Sequence, residues 1–129
     1  GGICKLVANL VLTLNRFALA EGLTLAKKAG LDQEKTLDVL KKSAAYSKAM
    51  DQKGMRMVKR QFQPPASRLS SSYKDARLIL ALGARIDCPL PLMALAVQGM
   101  ASEVSKGRQD WDPATIISYY SALAGEKTV

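Results

Sequence analysis

Histidine is missing from all 129 residues, and that one absence removes a wide range of chemistry. His-based catalytic triads and His metal sites are excluded for this chain acting alone. Cysteine is scarce: Cys4 and Cys88 are isolated thiols without metal-site spacing, so no metal is expected. Two cysteines make no disulfide framework, and reduced, buried thiols are the expected state. Two Phe and one Trp offer little on which nucleic-acid bases could stack. No stretch alternates convincingly as a strand. Signal-peptide features are lacking too, because no basic segment precedes the first apolar run and no small-residue cleavage site ends it. That run, residues 3–26, is apolar enough to raise the question of a membrane span. It contains Lys5, Asn9, Asn15, Arg16 and Glu21, which a spanning helix rarely tolerates together. An initiating Met is also lacking, and the chain starts inside a helix-entry turn, which suggests a fragment or an isolated domain. The expectation is a soluble, cytoplasmic protein.

What is present suits one domain, residues 1–129, with a 48% apolar fraction able to build a core. Nineteen basic against eleven acidic residues give a net charge of +8. Such a balance fits nucleic acid, an anionic membrane surface or phosphorylated small molecules. The cations are spread through helical stretches, as in Lys27-Lys28, Lys41-Lys42 and Lys59-Arg60. They read as solvated faces, with neither a nucleic-acid nor a membrane partner.

The pattern is helical throughout. A first helix is expected over 3–29, ending at Gly30, and apolar nearly all round. Such a helix is a central one, or it packs against a second domain or subunit. Asp32 is a good N-cap for the next, with Glu34 in its first turn. A stretch over 46–60 is interrupted by Gly54 and is expected to break there. Pro64-Pro65 is a clear break. Helices then follow from Ser67 to Gly83 or Ala84 and over 92–106, the latter with Pro91 in its first turn and Gly107 closing it. Asp112-Pro113 starts the last, which runs to Leu123, and a tail begins at Gly125. The fold class is all-α, about six helices built around the long first one.

Lys5 and Asn9 stand four residues apart at the start of that helix, so they share a face. A cation among Ile3, Leu6, Val7 and Leu10 is costly to desolvate without a partner. The alternative is a solvated lysine whose stem covers apolar surface, which is common in a first turn. Spacing does not separate the two.

Gly1, Lys5 and Asn9 match the last three fixed positions of a Gly-x-Gly-x-x-x-Lys-x-x-x-Asn motif. The stretch LNRFALAEGLTLAKKAGLD, Phe62 with the prolines after it, Tyr73-Lys74-Asp75, Pro89-Leu90-Pro91 and Asp110-Trp111-Asp112 follow in order. Together they resemble the C-terminal helical domain of the β-hydroxyacid dehydrogenases, the 3-hydroxyisobutyrate dehydrogenase family, whose fold is shared by 6-phosphogluconate dehydrogenase. Ala76 stands where that family usually has Leu after Lys-Asp, and Leu10 where a second Asn is common. The resemblance implies hydride transfer between NAD or NADP and a short 3-hydroxy acid or its semialdehyde. It implies Lys5 as the catalytic proton donor, Asn9 with Gly1 and Gly2 at the substrate, Lys74 toward the cofactor and Asp75 as structural support. The 129 residues carry no Gly-x-Gly-x-x-Gly fingerprint and no Ser-Gly-Gly substrate segment. The chain alone is therefore expected to be inactive, with the cofactor held mainly by a Rossmann domain outside it. A homodimer or higher homo-oligomer is expected, since the long apolar helix leaves surface to cover. A helical oligomerisation or ligand-binding domain without catalysis is the alternative.

Overall fold

The computed structural model describes residues 1–126. Among them are six α-helices, one 3-10 turn and no strand, so the all-α expectation holds. The helices are α1 (Gly2–Lys28), α2 (Gln33–Lys41), α3 (Lys48–Lys59), α4 (Leu69–Arg85), α5 (Pro91–Ser105) and α6 (Ile116–Leu123), with the 3-10 turn at Pro113–Thr115.

Local signals explain most of the boundaries. The Asp32 carboxylate accepts the Lys35 amide at 2.9 Å and so caps α2. Pro91 opens α5 at a position where its missing N–H costs nothing. The Asp112 carboxylate accepts the Ala114 amide at 2.9 Å and starts the turn that feeds α6. After α1 the chain leaves the helix through Gly30, at φ +88°, a conformation that costs glycine little.

Two glycines behave differently from expectation. Gly54 does not break α3, which continues to Lys59, and Gly83 does not end α4. Both serve close packing. A Cβ on Gly54 would lie 2.7 Å from the methyl groups of buried Leu37, and one on Gly83 would lie 2.8 Å from the Cys88 carbonyl oxygen. The cysteines are a further correction, since Cys4 and Cys88 are free but exposed. One sits on the solvent-facing first turn of α1 and the other in the loop before α5.

α1 is the central helix and touches all five others. Leu23, Leu37, Met57, Leu69, Met93, Met100, Ile116 and Ile117 form the fully buried centre of the core. Burial of α1 is lopsided, however. Its second half supplies Phe17, Leu19, Ala20, Leu23 and Ala26 to the core, whereas Ile3, Val7 and Val11 remain 65%, 56% and 51% exposed. Of the two sequence readings, a helix central to its own domain describes the second half. The first half leaves an apolar surface uncovered. α1 is also long and apolar enough to cross a membrane by length and composition, but its second half is a core helix.

α1 and α4 run antiparallel. Ile3, Leu6, Val7 and Leu10 share an apolar groove with Ile79, Leu82, Gly83 and Ile86 near the end of α4. Further along α1, Asn9, Thr13 and Arg16 face Ser67, Ser71 and Asp75 near its start.

Gly83→Ala tests the close-packing reading. Alanine is the better helix former by about 1 kcal/mol, so an open position would gain stability. Overpacking against a backbone oxygen costs about 1–3 kcal/mol, and net destabilisation in urea unfolding is the expected outcome.

Candidate functional site

A polar concavity lies between the two antiparallel helices. Asn9, Leu12, Thr13 and Arg16 of α1 line one wall, and Ser67, Ser71, Ser72 and Asp75 the other, around ≈ 190 Å³ of space. The α1 residues recur at three- and four-residue intervals, which places them along one helix face. Helix polarity then sorts the cleft, with Asn9 and Asp75 toward one end and Arg16, Ser67 and Ser71 toward the other.

The structure brings two of the sequence candidates together, Asn9 and Asp75, both half-buried. Lys5 lies one turn from Asn9 on the same face of α1, exposed and outside the cleft lining. Lys74 is exposed beside Asp75. Asp75 closes no ion pair among the described residues, and its side chain faces the cleft. Around Gly1 and Gly2 there is open space, and a Cβ added at either would meet no atom within 4 Å. Within this chain, therefore, no close approach requires glycine there.

Below the Arg16 end lies a buried charge cluster that sequence reading missed. Lys53, 3% exposed, donates to the Asp112 carboxylate at 3.1 Å, and Asp112 is fully buried. The same carboxylate accepts the Ala66 and Ala114 amides at 2.9 Å each, and Arg56 Nε stands 3.6 Å away. Burial pushes the Lys53 ammonium down; Asp112 opposes this, while the Arg16 and Arg56 charges add to it. Burial alone would raise the Asp112 carboxyl. The Ala114 and Ala66 amides and Lys53 outweigh it and hold the group below its ordinary value. A second buried carboxylate, Glu103, pairs with Arg108 at 2.8 Å and accepts the Thr115 hydroxyl at 2.7 Å. Arg108 in turn lies over the Trp111 ring, 5.0 Å from its centroid, and Trp111 stacks on Phe62.

Arg16 was the charged member of the cleft that sequence reading missed. The signal existed, since it sits seven residues after Asn9, and i, i+7 residues share a face.

Comparison with known proteins decides the family. A family model described as NAD-binding of NADP-dependent 3-hydroxyisobutyrate dehydrogenase matches residues 1–120. The chain belongs to the 3-hydroxyisobutyrate dehydrogenase family. Glyoxylate/succinic semialdehyde reductase 1 of Arabidopsis thaliana is 35% identical over 117 residues, which is 91% of this chain and 40% of the relative. A probable 3-hydroxyisobutyrate dehydrogenase-like 1, mitochondrial, of the same plant is 36% identical over 110 residues, 85% of this chain and 33% of the relative. Among solved structures, 3-hydroxyisobutyrate dehydrogenase from Salmonella typhimurium superposes with a TM-score of 0.87 at 24% identity, covering 92% of this chain and 41% of that one. That likeness shows the shared helical fold. The chain thus spans a third to two fifths of the length of these relatives. The resemblance drawn from Gly1, Lys5, Asn9 and Lys74-Asp75 is borne out at the level of the family.

The charge cluster generates two linked expectations. Asp112→Asn leaves Lys53 buried beside an amide, and removing one partner of a buried pair costs about 3–5 kcal/mol, measurable by urea unfolding at pH 7. The Asp112 carboxyl is lower in the folded than in the unfolded chain, so its contribution is fully present above the unfolded value of about 3.9. It is lost as pH falls through the lower folded value. Wild type should lose stability below about pH 4, and Asp112→Asn should flatten that acid limb.

Proposed function

We propose that this chain is the substrate-binding and dimerisation half of an NAD(P)-dependent β-hydroxyacid dehydrogenase. The reaction would be hydride transfer between the nicotinamide and a short 3-hydroxy acid or its semialdehyde. The observation that carries the reading is the cleft in which Asn9 and Asp75 meet, one turn from Lys5, in a chain of this family.

On this reading the residues present face the reactive end of the cofactor. No described residue is in a strand, and no Gly-x-Gly-x-x-Gly turn exists in the sequence, so the dinucleotide would be held mostly by residues outside this chain. When bound, NAD or NADP supplies or accepts the hydride. This chain's own residues do the rest. The Lys5 ammonium polarises the carbonyl oxygen and hands it a proton during reduction; in oxidation neutral Lys5 takes the hydroxyl proton. Asn9 hydrogen-bonds the hydroxyl or carboxylate and fixes its direction. Lys74, exposed beside the cleft, reaches toward the nicotinamide side. Asp75 supports the polar wall, and Gly1 and Gly2 keep the entry free of side chains.

The exposed apolar half of α1 supports the remaining parts of the proposal. Ile3, Val7 and Val11 need a partner surface, supplied by a cofactor domain and by a second copy in a homodimer or larger homo-oligomer. The positive charge lies largely on exposed residues such as Lys27, Lys28, Lys42 and Lys59, which fits a cytoplasmic enzyme with neither nucleic-acid nor membrane partner.

The test places a dinucleotide-binding domain of the family ahead of Gly1 and follows nicotinamide absorbance over short 3-hydroxy acids and semialdehydes. Lys5→Ala should lower kcat about 10²–10⁴-fold with cofactor affinity kept, and the 129-residue chain alone should not turn over. Near-normal activity in Lys5→Ala would make Lys5 a solvated structural lysine.

A further inference from the structure

The Arg16 end of the cleft has no role in the reading above, and it holds an unusual group. Arg16 Nε is buried and has no hydrogen-bond partner among the described residues. Burial pushes the guanidinium down, with Asp112 partly opposing. A buried donor left without an acceptor is costly, the more so when it carries charge.

Asp112 does not fill the gap. Its oxygens already take Lys53, Ala66 and Ala114, with Arg56 Nε also close. Arg56 is occupied as well, donating to the carbonyls of Gln61 and Pro64. Three cations thus surround one carboxylate, and the surplus positive charge reaches the cleft through Arg16. Asp75, the carboxylate that lines the cleft, lies toward the Asn9 end. Next to Arg16 the wall is instead hydroxyl, from Ser67 and Ser71. An arginine donor with serine hydroxyls beside it suits an oxyanion.

We propose that Arg16 anchors a second acidic group of the ligand, a carboxylate or a phosphate remote from the reacting carbon. This rests on reading the cleft as the substrate cleft. Asn9 and Arg16 are seven residues apart, about 10 Å along the helix axis. Both side chains reach into the space between, so a short acid lies with its reacting end at Asn9 and its far oxyanion at Arg16. The substrate class is then a hydroxy acid or semialdehyde bearing a further negative charge, and Arg16 is its specificity-determining residue.

The experiment uses the 129-residue chain and nitrogen-15 NMR, following the Arg16 Nε–Hε resonance. Succinate, inorganic phosphate and uncharged succinamide are the probes. A saturable shift at Arg16 with an anion, and none with succinamide, is the expected result. Stronger binding of succinate identifies a carboxylate, and stronger binding of phosphate a phosphorylated ligand. Arg16→Met, which keeps bulk but no donor, should weaken binding about tenfold or more. Ser71→Ala on the exposed wall should weaken it severalfold, and the amide spectrum of each variant reports folding. No saturable shift with either anion, or equal affinity in Arg16→Met, overturns the proposal. The two readings fail separately: anion binding without any Lys5-dependent turnover in the joined enzyme removes the dehydrogenase reading alone. Turnover that tracks Lys5 but ignores Arg16 removes the anchor alone.

Discussion

The Asp112 carboxylate holds the cleft in shape. It gathers Lys53 from α3, the Ala66 amide from the loop before α4, and the Ala114 amide from the 3-10 turn before α6. These segments are far apart in sequence and meet at one fully buried group. A buried ion pair of this kind adds little net stability over an apolar substitute, but it penalises every arrangement that leaves either charge alone. The consequence is positional. The loop through Pro64 and Pro65 is fixed by the Ala66 amide and by Arg56, which donates to the Gln61 and Pro64 carbonyls. Ser67 and the first turn of α4 are thereby set opposite Arg16 and Thr13.

α1 is two things along one axis. Its second half is locked in the core by Phe17, Leu23 and their neighbours, which fixes the direction of the whole rod. The first half projects from that support with its apolar face uncovered. Lys5 sits on the projecting part and Asn9 where the rod meets α4. A rigid helix sets the two side chains at a fixed spacing, which a loop would do less precisely. Whatever covers Ile3, Val7 and Val11 also approaches Lys5. On the proposed function, covering the apolar face and completing the site are the same event.

Local backbone chemistry made much of the fold legible in the sequence. Asp32, Pro91 and Asp112-Pro113 act on their own turns, so their effect needs no knowledge of distant residues. Gly54 and Gly83 were misleading because glycine also serves close packing, and the neighbours that demand it, Leu37 and the Cys88 carbonyl, are brought near only by the tertiary fold. The cysteines misled through a general preference for burial that exposed positions at a helix start and in a loop do not obey. For the site, the Lys5–Asn9 spacing was visible but silent about exposure. Lys53 was invisible for a different reason. Basic residues occur in four of the six helices, and the one that is buried among the described residues is singled out by a carboxylate 59 positions away.

Lys53 and Arg16 together show why the residue types differ. Both are cations drawn out of water near the same carboxylate, and burial lowers both. Lys53 is compensated by a direct hydrogen bond to Asp112. The Nε of Arg16 lacks any such bond among the described residues. A lysine in that position could relieve the strain by releasing its proton, because an ammonium shifts readily when buried. A guanidinium does not titrate in the accessible range and so stays charged despite its surroundings. The fold therefore keeps a permanent positive charge on the wall of a cleft while satisfying the neighbouring lysine internally. An unsatisfied buried donor of this kind costs stability, and under the proposal above an anion at Arg16 offsets part of that cost.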